Sequence, residues 1–85
     1  MSKEVSVEIY SRPGCHLCDT AKEVIERVQE SYAFDLRVIN INTDPELERK
    51  YGEEIPVVVI NGRKAFKFFV DENKFEDQVK RLWKT

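Results

Sequence analysis

Cys15 and Cys18 are the only two cysteines in the chain, and they stand two residues apart where a short alternating segment gives way to a helical pattern. A C-x-x-C at such a junction suits reversible dithiol-disulfide chemistry. Two other uses share the spacing. A tetrahedral zinc site takes about four N or S ligands. Besides its two thiols the chain offers one histidine, His16, wedged between them. One chain therefore cannot close such a site, which leaves half a zinc site shared across a dimer. The plainer alternative is a pair of buried cysteines serving as small hydrophobes. That is an odd use directly after Pro13-Gly14 at a helix start.

Composition narrows the setting. At 85 residues the sequence predicts a single domain, residues 1–85, with chain enough for one core. Charged residues make up 35% yet the net charge is only -2, so a basic face of the kind nucleic-acid binders carry is not expected. The first ten residues lack the apolar run of a signal peptide. Val57-Val58-Val59-Ile60 is far short of the ~20 apolar residues of a membrane span. The expectation is a cytoplasmic protein, a monomer with no membrane contact. In that compartment a lone C-x-x-C is more often catalytic or metal-binding than a structural staple.

The elements that must position the cysteines follow from periodicity. Val5, Val7 and Ile9 alternate with Ser6 and Glu8, the pattern of a strand with one face on a core. Leu17, Ala21, Val24, Ile25 and Val28 recur at three and four, predicting a helix from about His16 to Tyr32. Phe34, Leu36 and Val38, with Ile39 and Ile41, make a second strand. Asp44 is a plausible N-cap with Pro45 at the first helical position, and Gly52 closes that short helix. Val57 to Ile60 reads as a buried strand, Asn61-Gly62 as a hairpin turn, and Lys64 to Phe69 as its antiparallel partner. Asp71 then caps a helix whose Phe75, Val79, Leu82 and Trp83 share one face. The order is β-α-β-α-β-β-α, an α/β fold whose first unit is a right-handed parallel crossover.

Tyr10-Ser11-Arg12-Pro13-Gly14-Cys15-His16-Leu17-Cys18, Ile55-Pro56-Val57-Val58 and this element order resemble glutaredoxin and its small thioredoxin-fold relatives. The resemblance is closest to the divergent glutaredoxin-like proteins with an S-R-P-G-C-H-L-C type active site, and it runs from Val5 to about Leu82. It implies a thioredoxin-like, four-stranded mixed sheet in the order 2-1-3-4 flanked by three helices, a redox-active dithiol, and a cis peptide before Pro56. It further implies that the cis proline presents the backbone of Ile55 opposite the nucleophilic sulfur, to pair with an extended peptide or glutathione.

A cysteine at the first turn of a helix faces unpaired N–H groups and the positive end of the helix dipole, and both favour a thiolate. Cys15 is thus expected to attack a substrate disulfide and Cys18, nearly one turn on, to resolve the mixed disulfide. Arg12 could stabilise that thiolate or hold a substrate carboxylate, or be an idle exposed cation. His16, if protonated, would favour the reduced form; otherwise it is an exposed polar residue. The expected partners are a disulfide-containing protein or a glutathione mixed disulfide, with glutathione or a reductase as electron donor and no bound cofactor or metal.

The sequence departs from ordinary glutaredoxins in having His16-Leu17 between the cysteines. It also reads Phe68-Phe69-Val70-Asp71-Glu72-Asn73 where many have a Gly-Gly turn. That lack of glycine, with two acidic residues following, argues against glutathione binding, although Asp71 could meet its ammonium group. The remaining aromatics and acidic residues read as core and solvated surface. A second function class is a carrier in which the paired thiolates hold a soft ion such as Cu(I), though such carriers usually follow a β-α-β-β-α-β order.

Overall fold

The computed structural model describes residues 5–83. Among these residues lie β1 (Ser6–Ser11), α1 (His16–Gln29), β2 (Asp35–Asn40), α2 (Pro45–Tyr51), β3 (Val57–Ile60), β4 (Arg63–Lys67) and α3 (Glu72–Leu82), with a turn of 3-10 helix at Ile41–Thr43. The sheet order is β2-β1-β3-β4. β1 runs parallel to β2 and antiparallel to β3, and β3 and β4 form the hairpin. This is the thioredoxin-like arrangement the sequence implies.

Each strand's side-chain pattern reflects which of its faces is covered. Val5, Val7, Ile9, Val58 and Ile60 meet Ile25 and Val28 of α1 and Phe75 and Val79 of α3 in one core. On the other face Val57 and Val59 pack with Ile41 and Tyr51 in a smaller cluster. β3 is therefore buried at every position and reads as an unbroken apolar run. β1 alternates because the second cluster covers only its Tyr10 end, leaving Ser6 and Glu8 half-buried.

The predicted punctuation acts through named bonds. Asp44 accepts from the Glu46 N–H at 2.9 Å and Asp71 from the Lys74 N–H at 3.1 Å. Asn61 and Gly62 take φ values of 51° and 84°, as a two-residue hairpin turn of the I′ kind requires.

Several boundaries differ from the periodicity. α1 stops at Gln29, short of Tyr32, because the Ser31 and Tyr32 N–H groups both turn back onto the Val28 carbonyl. Tyr32 leaves the helix to meet Trp83 edge-on, ring centroids 5.5 Å apart. Ile41 departs from β2 into the 3-10 turn and is buried there. β4 ends at Lys67, so Phe68 and Phe69 lie beyond the sheet and are exposed. Leu82, 43% exposed, is off the core face that Phe75 and Val79 share. Gly52 is right-handed rather than left-handed, with φ -54°. What demands glycine there is space, since a Cβ would run into the Glu48 carbonyl oxygen. None of the helices in the described residues is long and apolar enough to cross a membrane.

Candidate active site

The strand register gathers the site at one end of the sheet. Ser11 pairs with Asn40 of β2, and Tyr10 opposes Val57, which in turn opposes Lys67. One residue further along each strand come Ser11, Pro56 and Phe68, and the Phe68 N–H donates to the Pro56 carbonyl at 2.9 Å.

The chain leaves that row at Ser11 through a tight turn. The Cys15 N–H donates to the Arg12 carbonyl at 3.3 Å, and Gly14 supplies the left-handed residue within the turn, φ +81°. Cys15 then stands as N-cap of α1 in extended conformation, its Sγ accepting from the Cys18 N–H at 3.1 Å. The sulfur occupies the place a serine or aspartate oxygen usually takes. Cys15 and Cys18 are disulfide-bonded, with Cα atoms 5.2 Å apart. Their exposures differ: Cys15 is half-buried at the rim, whereas Cys18 is 5% exposed against the core. The N–H donor and the helix dipole both favour negative charge on Cys15 Sγ.

Arg12 is half-buried and passes over the end of α2, its Nη2 3.4 Å from where a Gly52 side chain would begin. The carbonyl end of a helix attracts such a cation. Arg12 also lines a cleft of about 250 Å³ with Ser11, Cys18, Lys22, Val38 and Asn40. The structure thus brings Arg12 and Cys18 to one cleft but leaves His16 out of its lining. His16 is exposed on the first turn of α1, where its carbonyl accepts from the Thr20 hydroxyl at 3.2 Å.

The Ile55-Pro56 peptide is cis, as implied. Ile55 rests on the cluster of Tyr51, Tyr10 and Val57, in which the two tyrosine rings stack at 4.5 Å. Burial, then the Glu8 carboxylate, pushes the Tyr10 hydroxyl's pKa up. No hydrogen bond engages the Ile55 N–H or carbonyl among the described residues. Glu54, one residue earlier, is not simply solvated. It meets Lys64 at 3.0 Å and Lys67 at 3.8 Å, tying this loop to β4, and its hydrogen bond to Lys64 and the two ammonium charges hold its carboxyl below the ordinary range.

At the glycine-free segment the negative charges are also occupied. Asp71 caps α3 and Glu72 pairs with Arg27 at 3.0 Å. The residue that sequence reasoning passed over is Phe68, with φ 70°. In the sequence it falls within the segment Lys64 to Phe69 that reads as a strand, whereas β4 ends at Lys67.

A family model for the Glutaredoxin-like domain (DUF836) matches residues 6–80. The chain belongs to that family. This glutaredoxin-like domain is 33% identical over 78 residues to a glutaredoxin-like protein of Dictyostelium discoideum, covering 85% of this chain and 72% of the relative. It is 36% identical over 69 residues to a thioredoxin of Methanocaldococcus jannaschii, covering 78% and 80% of the two chains. Among solved structures, the solution structure of a Nitrosomonas europaea protein matches the glutaredoxin-like domain with a TM-score of 0.76 at 28% identity, covering 87% of this chain and 89% of that one.

Proposed function

We propose that this chain is a small thiol-disulfide oxidoreductase that reduces substrate disulfides through Cys15 and Cys18. The observation that carries the reading is the inequality of the two sulfurs. Cys15 reaches the surface at a helix start with an N–H aimed at it, and Cys18 lies buried within bonding distance.

In the reduced protein the Cys15 thiolate attacks one sulfur of a substrate disulfide. A mixed disulfide forms on Cys15, and the other substrate half leaves as a thiolate that takes up a proton. Cys18, deprotonated, then attacks Cys15 Sγ, forming the intramolecular disulfide and expelling the second half. Two electrons pass from the protein dithiol to the substrate disulfide, which becomes two thiols. Two molecules of glutathione or a reductase partner return them, with no bound cofactor.

Arg12 adds positive charge at the cleft, favouring the thiolate or holding a substrate carboxylate. His16, when protonated, favours the reduced form. The N–H and carbonyl of Ile55, without a hydrogen-bond partner among the described residues, suit the backbone of an extended substrate beside Pro56. The setting this chemistry fits is the reducing cytoplasm, with the chain acting as a monomer.

Turnover tests the reading directly. Reduction of insulin, or of a glutathione mixed disulfide followed through NADPH consumption by glutathione reductase, is expected with the parent protein and absent in Cys15→Ser. No turnover of either substrate, with stoichiometric Cu(I) retained by the reduced chain, would overturn it in favour of a carrier.

A further inference from the structure

The Phe69 N–H donates to the Lys67 carbonyl at 2.8 Å, across a central Phe68 whose φ is 70°. A three-residue turn of this hand is rare and strained, and positive φ on a bulky residue is an outlier. Such strain persists where the surroundings over-determine it, and it gathers at functional sites. Here the Phe68 N–H is held by the Pro56 carbonyl, and the Lys67 ammonium sits over the Phe68 ring at 5.7 Å. The turn's effect is to hold two rings outward at the end of the sheet that carries Cys15, Phe68 38% and Phe69 71% exposed.

The exposed large apolar side chains among the described residues are Leu17, Val38, Phe68, Phe69 and Leu82. All but Leu82 border the redox site. Leu17 lies between the cysteines, Val38 lines the Cys18 cleft, and Phe68, next to Phe69 in the chain, is bonded to the Pro56 carbonyl. The same rim offers the Ile55 N–H and carbonyl, which no hydrogen bond engages among the described residues. Apolar rings beside this backbone edge fit an extended polypeptide, and the ammonium over the Phe68 ring, that of Lys67, already faces the Glu54 carboxylate at 3.8 Å.

We propose that the Phe68-Phe69 turn is a specificity surface that selects polypeptide disulfides whose cysteine has an apolar neighbour over small hydrophilic disulfides. The inference rests on the redox reading above. The chemistry is unchanged, the dithiol's two electrons reducing the bound disulfide to two thiols.

The test uses single-turnover rates of the pre-reduced protein with three substrates: a disulfide-linked peptide dimer carrying phenylalanine beside its cysteine, the same dimer with serine there, and oxidised glutathione. The parent is expected to consume the phenylalanine dimer about 10-fold faster than the serine dimer. Phe69→Ser should abolish that preference, as should Phe68→Gly, which keeps the turn's backbone conformation. Phe69→Ser should leave the glutathione rate unchanged. Equal rates for the two dimers in the parent, or a preference that survives in both variants, would overturn the inference.

Should the reduced protein react with no disulfide at all, the redox reading fails by itself. NMR titration with the S-methylated phenylalanine peptide then decides the surface. Saturable shifts centred on Phe69 and lost in Phe69→Ser would support it, and an unperturbed spectrum would overturn it.

Discussion

Placing a methyl group on Gly14 separates backbone conformation from packing at the point where the chain turns into the site. Gly14 has φ +81° and no heavy atom within 4 Å of an added Cβ, so Gly14→Ala meets no clash. Its cost is conformational, ~1–2 kcal/mol for an L-residue held left-handed. Alanine also narrows the unfolded ensemble, which offsets ~0.4–1 kcal/mol of this. A net loss of about 1 kcal/mol lowers the melting midpoint by roughly 4–8 °C in a domain of this size. Gly62→Ala is a matched control, with φ +84° and equally open space in the hairpin turn. Both variants should lose similar stability by circular dichroism. Only Gly14→Ala should also slow alkylation of reduced Cys15, because its turn sets the Cys15 N-cap. Gly14→Asn should recover much of the stability, since asparagine tolerates the left-handed region. An unchanged midpoint in Gly14→Ala beside a lowered one in Gly62→Ala would refute the reasoning.

At Gly52 the expected penalty is steric. Gly52→Ala drives a Cβ into the Glu48 carbonyl and against Arg12, which should cost ~1–3 kcal/mol in denaturant titration and alter Cys15 alkylation by displacing the guanidinium. Phe75 is fully buried against Phe34 and Phe66. Phe75→Ala should cost ~3–5 kcal/mol, a large share of the ~4–13 kcal/mol that a chain of this length holds in total, and urea unfolding measures it. Glu54's carboxyl is depressed by Lys64 and Lys67, so its contribution is present above the ordinary glutamate pKa and fades as pH falls through the lower folded value. Glu54→Gln should therefore lose stability at neutral pH and show a shallower decline in melting temperature below about pH 4 than the parent. Parallel acid limbs would remove the ion pairs from the account.

Much of this architecture is legible in the residues because each signal has one cause. Val5, Val7 and Ile9 alternate since one face of β1 is buried, and Val57 to Ile60 do not alternate since both faces of β3 are. Asp44, Asp71 and Asn61-Gly62 act locally, through backbone bonds a few residues away. The cis peptide at Pro56 came through family resemblance, which periodicity cannot supply. What was not legible depends on partners distant in sequence. Tyr32 leaves α1 for Trp83, whose indole N–H donates to the Ala33 carbonyl at 2.8 Å. Glu54 is drawn to the hairpin lysines, Arg12 to the end of α2, and Phe68 into its turn by the Pro56 carbonyl. At the candidate site, the closeness of Cys15 and Cys18 was legible from their spacing, whereas the outward turn of Phe68 and Phe69 was not.

In the proposed reaction Cys15 attacks and Cys18 resolves. Mass spectrometry of pre-reduced Cys18→Ser and Cys15→Ser, each incubated with a disulfide substrate and quenched in acid, tests it most directly. The expected result is a stable mixed disulfide on Cys15 in Cys18→Ser, with little adduct in Cys15→Ser, whose remaining thiol is buried. Equal trapping in the two variants, or an adduct confined to Cys18, would contradict the claim.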